Sequence, residues 1–98
     1  MRVEFASAEL DRLETDSGFD MGLSQALVGM FRRRLQFIRD AADERDFYSL
    51  KSLHFEKLKG KRKTQHSLRL NDQFRLVLEL KGTGREKYVL IIAVVDYH

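Results

Sequence analysis

The chain predicts an α+β domain in which two N-terminal helices pack on one face of a small, mainly antiparallel sheet. Two observations lead there. Through the first half, apolar residues recur every three or four positions; from Gln65 onward they recur every second position. Helices gathered ahead of strands, rather than alternating with them, favour helices on one face of an antiparallel sheet. With 98 residues, 43% of them apolar, the chain can hold one modest core, so a single domain over residues 1–98 is expected.

Each element has its own reason. "RVEF" (Arg2–Phe5) alternates charged and apolar residues and reads as an edge strand. Ser7 is placed to cap a short helix from Ala8 to about Thr15, with Leu10 and Leu13 turned inward. "TDSGFDMG" breaks that pattern with acids and two glycines. A longer helix follows over about 24–42, its stripe formed by Leu27, Phe31, Leu35, Ile38 and Ala42 and widened by Met30 and Phe37. Gln36, Arg39 and Asp40 lie mostly off the stripe, as do Arg32 and Arg33 of the arginine triplet. A solvated or partner-binding helix face is the more ordinary role for the triplet than phosphate contact. A short helix or turn over 47–52 leads to Leu53 and His54.

The period then becomes two. "QHSLRL" sets Leu68 and Leu70 against Ser67 and Arg69, Asn71-Asp72 makes a turn, and "QFRLVLEL" sets Phe74, Leu76, Leu78 and Leu80 against Arg75. "KGTGRE" supplies a hairpin connection. "KYVLIIAVV" is apolar on both faces and reads as the central strand of a three-strand meander.

The composition excludes several classes. The chain has no cysteine, so neither disulfides nor thiolate zinc sites are available to it. Its three histidines lack metal-ligand spacing, and no metal or cofactor is expected. The charged, amphipathic N-terminus has no apolar segment of the signal-peptide kind, and the longest apolar run, residues 88–95, is far short of the roughly 20 residues of a membrane helix. A soluble cytoplasmic protein without membrane contact is expected. Charge is unevenly spread: residues 1–50 carry seven Lys/Arg and ten Asp/Glu, whereas 51–98 carry eleven and five. Residues 57–75 alone hold seven basic residues and one acid, Asp72. Such a half suits a polyanion, although a solvated surface loop is equally common.

Alternation makes a chemical suggestion as well. If Leu68 and Leu70 face the helices, Arg69 and Arg75 share the open face of the sheet. Asp96 and His98 share one side of the last strand and Tyr97 takes the other, unless the strand frays. The open face then offers two arginines, a terminal polar group and a flanking lysine loop, a surface suited to a nucleic-acid strand. Phe55, Tyr88 and Tyr97 are candidate stacking rings, though packing against the sheet is their commoner role. Ser67, His54 and Asp96 make a hydrolase triad only on paper: no G-x-S-x-G elbow is present.

Leu53-His54, Leu58-Lys59-Gly60, the block "SLRLNDQFRL" from Ser67 to Leu76, and Asp96-Tyr97-His98 together resemble the HigB branch of the RelE-like toxins of bacterial type II toxin–antitoxin systems. The likeness spans about half the chain, and the N-terminal half matches only as two helices. There are departures. Glu56 and Lys57 lengthen the path from His54 to Leu58, "KRKT" replaces a stretch that usually ends in glycine, and Phe74 stands where Trp or Tyr is commoner.

The resemblance implies a RelE-like fold and an mRNA endonuclease, typically acting in the ribosomal A site to stop translation. It also implies a HigA-like, helix-turn-helix antitoxin that neutralises the toxin and through which the complex binds operator DNA. His54, Asp96, Tyr97 and His98 become the catalytic candidates, and Lys57, Lys59, Arg62, Arg69 and Arg75 the phosphate-binding ones. Asp96 and His98 would move protons, with His54 as a second candidate; a histidine titrates near neutral pH. Lys59, Arg69 and Arg75 would hold the phosphate, and Tyr97 would stack on a base or orient the substrate. Two rivals stand beside this reading: a ParE-like toxin aimed at DNA gyrase, which lacks the terminal proton-transfer set, and a non-catalytic RNA- or ribosome-binding module.

Overall fold

The structure, a computed structural model, describes residues 1–60 and 64–97. Strand β1 (Arg2–Phe5) is followed by helices α1 (Ala8–Thr15), α2 (Gln25–Asp40) and α3 (Arg45–Ser49). A 3-10 turn (Lys51–Leu53) then leads into strands β2 (Glu56–Lys57), β3 (Gln65–Arg69), β4 (Phe74–Lys81) and β5 (Tyr88–Asp96). These strands form one five-stranded sheet in the order β1-β5-β4-β3-β2. β1 pairs with β5 in parallel and every other pairing is antiparallel. The expected α+β architecture and meander are therefore present, with β1 as an edge. β5 lies inside the sheet as expected, but the middle of the five strands is β4.

Both N-terminal helices begin where a serine caps them. The Ser7 and Ser24 hydroxyls accept from the backbone N–H of Leu10 (3.3 Å) and Leu27 (3.1 Å), satisfying donors that a helix start leaves unpaired. α2 ends earlier than its apolar stripe suggests. Ala41 leaves helical geometry at φ −70°, ψ 142°, so Ala41 is buried in place of Ala42, which is exposed. The N-terminal ammonium donates to the carbonyls of Ile38 (3.2 Å), Arg39 (2.8 Å) and Ala41 (2.7 Å), a cation at the negative end of the helix dipole.

Leu10 and Leu13 of α1 and Leu27, Val28, Phe31, Leu35 and Ile38 of α2 pack on Leu68, Leu76, Leu78, Val89 and Ile91 of the sheet. Each such side chain, removed from water, contributes roughly 1.5–3 kcal/mol before the entropy of ordering is set against it. Arg32 is not on a wet face. Its Nε donates to the Leu13 carbonyl and its Nη2 to that of Asp16, both at 3.0 Å, fastening the end of α1 to α2.

Two local features set which residues the sheet presents on its open face. Val77 pairs with Ala93 and Leu78 with Ile91, so Ile92 is the extra residue of a β-bulge that sets the phase of the end of β5. At the β4–β5 connection Gly82 has φ +73°, and a Cβ there would meet the Glu86 carbonyl oxygen at 2.5 Å, so only glycine fits that turn.

Candidate active site

Cross-strand partners share a face, so the register Arg69↔Arg75↔Val95 places both arginines on the open face beside the end of β5. Counting on by two brings Tyr97 to the same face. The turn between β3 and β4 is built by Asn71, whose Oδ1 accepts from the backbone N–H of Gln73 (2.9 Å) and Phe74 (2.7 Å). Gln73 carries the pairing one residue past β5, since its carbonyl accepts the Tyr97 N–H at 2.8 Å. These elements, with His54 from the far side, enclose a cleft of about 320 Å³ lined by His54, Arg69, Asn71, Asp72, Gln73, Arg75 and Tyr97.

Arg75 is the centre of this cleft, and its side chain is only 13% exposed. Its Nε donates to Ser67 Oγ at 2.9 Å, and its Nη2 donates to the His54 carbonyl and lies 3.4 Å from Glu56 Oε1. The guanidinium carbon is 5.6 Å from the centre of the Tyr97 ring, within cation–π range. His54 itself has φ 47°, ψ 49°, the left-handed region, where a residue with a Cβ is held at a cost of roughly 1–2 kcal/mol. Such a conformation persists only where the surrounding structure holds it in place.

Arg69 differs in its commitments. It pairs with the exposed carboxylate of Asp72, and its carbonyl accepts from Arg34 Nε at 3.4 Å. The Arg34 guanidinium is held below its ordinary pKa, first by burial and then by the charges of Arg33 and Arg69. Tyr97 is half exposed, its ring open toward solvent.

Of the residues singled out from sequence, His54, Arg69, Arg75 and Tyr97 come together in the cleft. Asp96 and Tyr97 have exchanged the expected sides. Asp96 pairs with Phe74, whose side chain packs against the core, so Tyr97 and not Asp96 follows the arginines. The Asp96 carboxylate borders the cleft through Gln73, whose Nε2 donates to its Oδ2 at 2.9 Å. Lys57 is exposed but lies opposite His66 on the helix side of β2, and Lys59 is exposed beyond the cleft lining. Arg62 and His98 lie outside the described residues.

Of the stacking candidates, Phe55 is buried, its ring stacked on His66 at 5.0 Å and edge-on to Phe47 and Tyr48. Tyr88 lies under the Arg2 guanidinium at 4.4 Å, away from the cleft. Alternation alone did not single out Gln73, Glu56 or Asn71. The Asn-Asp turn marked the place, but the side-chain bonds of these residues depend on strands distant in sequence. A larger hollow of about 500 Å³ opens between the chain start, 42–45 and 84–87. Glu44 and Lys87 close an ion pair there at 2.7 Å, and no histidine is among its described lining residues, whereas His54 lines the smaller cleft.

Known structures share this fold. The chain superposes on a YoeB/ParE toxin from Agrobacterium tumefaciens with a TM-score of 0.66 over 100% of both chains, at 19% identity. With YafQ from E. coli strain BL21(DE3) the TM-score is 0.61 over 99% of this chain and 94% of that one, at 11% identity. A comparison with curated protein sequences returned no match. These likenesses show a shared fold, and the family match over residues 3–98 makes the chain a RelE-like toxin. More narrowly, the chain belongs to the HigB-like toxin family, described as the RelE-like toxin of type II toxin-antitoxin system HigB, which matches residues 3–98. The partner of such a toxin is an antitoxin. Among the described residues no helix is long and apolar enough to cross a membrane.

Proposed function

We propose that this toxin is a metal-independent endoribonuclease that cuts mRNA on the ribosome and is neutralised by a HigA-like helix-turn-helix antitoxin, through which the pair binds operator DNA. The observation that carries the reading is the convergence of His54, Arg69, Arg75 and Tyr97 on one cleft at the end of β5, the strand that leads into Asp96-Tyr97-His98. RNA cleavage by the 2′-hydroxyl requires that this group lose a proton as it attacks and that the leaving 5′-oxygen gain one. The added charge on phosphorus must also be held. Asp96, His98 and His54 are the proton carriers in this scheme. Arg69, with Arg75 behind it, attracts the phosphates, Lys59 and Arg62 add positive charge, and Tyr97 offers a ring to a base. A gyrase poison needs no such gathering of histidine, phenol and guanidinium groups.

His98→Ala is expected to lower the cleavage rate roughly 100-fold or more, the scale of losing a general acid or base, with an unchanged circular dichroism spectrum. The test is induction in cells with mapping of new mRNA 5′ ends, with and without His98. New ends that appear equally with the variant would remove His98 from the chemistry, and their absence with the wild-type chain would sink the nuclease reading.

A further inference from the structure

Among the described residues one polar side chain, Ser67, is wholly buried, and it lies on the side of the sheet away from the helices. It faces Val77 on β4 and Glu56 on β2. A hydroxyl shut away from water needs a partner, and Ser67 Oγ has one: it accepts from Arg75 Nε at 2.9 Å. The Ser67 carbonyl lies 3.5 Å from Arg75 Nη2. Held at that root, the guanidinium reaches across β3 to the His54 carbonyl and the Glu56 carboxylate, and its carbon lies 5.6 Å from the centre of the Tyr97 ring.

We propose that Ser67 is a positioning residue: through Arg75 it fixes the left-handed backbone of His54 and the ring of Tyr97 in one geometry. Three observations bear on this. First, the arginine fork is rigid, so fixing Nε fixes where both Nη atoms point. Second, His54 adopts φ 47° without being glycine, and a strained backbone persists only where its surroundings over-determine it. The Arg75 bond to its carbonyl is such a restraint, beside the His54 N–H bond to the Lys51 carbonyl at 3.1 Å. Third, His54 and Tyr97 come from opposite ends of the domain's second half, and Arg75 touches both. A serine that looked like a poor nucleophile is instead the anchor of the side chain that joins the two halves of the cleft. Arg75 is then committed largely to protein acceptors, and first contact with phosphate falls to the more exposed Arg69, which among the described residues pairs with the exposed Asp72.

This rests on the nuclease reading for its kinetic arm only. Ser67→Ala is expected to lower kcat roughly 10- to 100-fold with KM for a short RNA changed less than about twofold, because misplacement of reacting groups costs rate more than binding. The second arm needs no turnover. The His54 backbone chemical shifts of the Ser67→Ala protein are expected to leave their left-handed values while the rest of the helix layer keeps its own. Arg75→Lys, which keeps the charge and loses the fork, is expected to displace His54 in the same way. His54 shifts that stay put in both variants would overturn the proposal. So would a Ser67→Ala enzyme with wild-type kcat. If the wild-type protein cuts no RNA the nuclease reading fails alone, and the His54 shifts still decide the role of Ser67.

Discussion

His54 shows how a single residue can be held against its own preference. Its φ of 47° suits glycine, and two hydrogen bonds, from its N–H to the Lys51 carbonyl and from Arg75 to its own carbonyl, keep it there. Replacing it by glycine removes the Cβ that makes this conformation costly. His54→Gly is therefore expected to stabilise the fold by up to about 1 kcal/mol, seen as a raised midpoint in urea, while cleavage falls. A variant that is less stable would mean that the imidazole makes packing contacts worth more than the strain. His66 is the opposite kind of histidine. Its ring lies flat on Phe55, and burial, then the nearby Lys57 charge, holds its pKa below the usual histidine value. It packs against Phe55 and does not line the cleft that His54 borders.

At the scale of elements, the helices and the meander could be read from period alone because each has one wet face. Leu10 and Leu13, and Leu27 through Ile38, mark the buried sides of α1 and α2, and the Leu68/Arg69 and Leu76/Arg75 alternations mark those of β3 and β4. β5 has no such mark. A strand apolar on both faces carries no phase, and the bulge at Ile92 resets whatever phase it had, so sequence alone could not say that Tyr97 rather than Asp96 would join the arginines. The two-residue β2 was too short to show a period at all. Arg32 departs from the expected wet face for a different reason: a helix wheel shows which side faces the core, not that another helix's end lies within reach. Arg32 supplies two donors to carbonyls at the end of α1, where a cation also suits the helix dipole. Arg32→Ala is expected to cost about 2 kcal/mol in chemical denaturation, since charge-assisted bonds to otherwise orphaned carbonyls are lost. Cleavage per folded molecule should not change, because the contact lies on the helix side of the sheet. A stability loss below about 0.5 kcal/mol would show that water replaces the guanidinium at no cost.

Across the whole molecule, the basic second half of the sequence folds so that its two strand arginines stand side by side, and both are already answered by acids: Arg75 by Glu56 and Arg69 by Asp72. The two pairs are unequal. Arg75 is nearly buried and braced, whereas the carboxylate of Asp72 is 91% exposed and Arg69 is 39% exposed. An exposed pair of this kind holds by at most about 1 kcal/mol, so a phosphate can displace Asp72 from Arg69 at little cost. Binding of a single strand should then release counterions from its phosphates and weaken as salt rises, by about 0.7 in log–log slope for each phosphate neutralised. Arg69→Ala is expected to flatten that slope by about one such step. Asp72→Asn is expected to raise affinity at low salt, by less than about fivefold, because the guanidinium no longer has a competing carboxylate. Both can be measured by fluorescence anisotropy on a short RNA between about 50 and 200 mM salt, in a His98→Ala background so that the strand stays whole. An Arg69→Ala slope equal to that of the parent would mean that the phosphates run over some other surface. Tighter binding by Asp72→Asn with the slope of Arg69→Ala reduced would place the strand across the turn at Asn71–Gln73, the same turn that holds the end of β5.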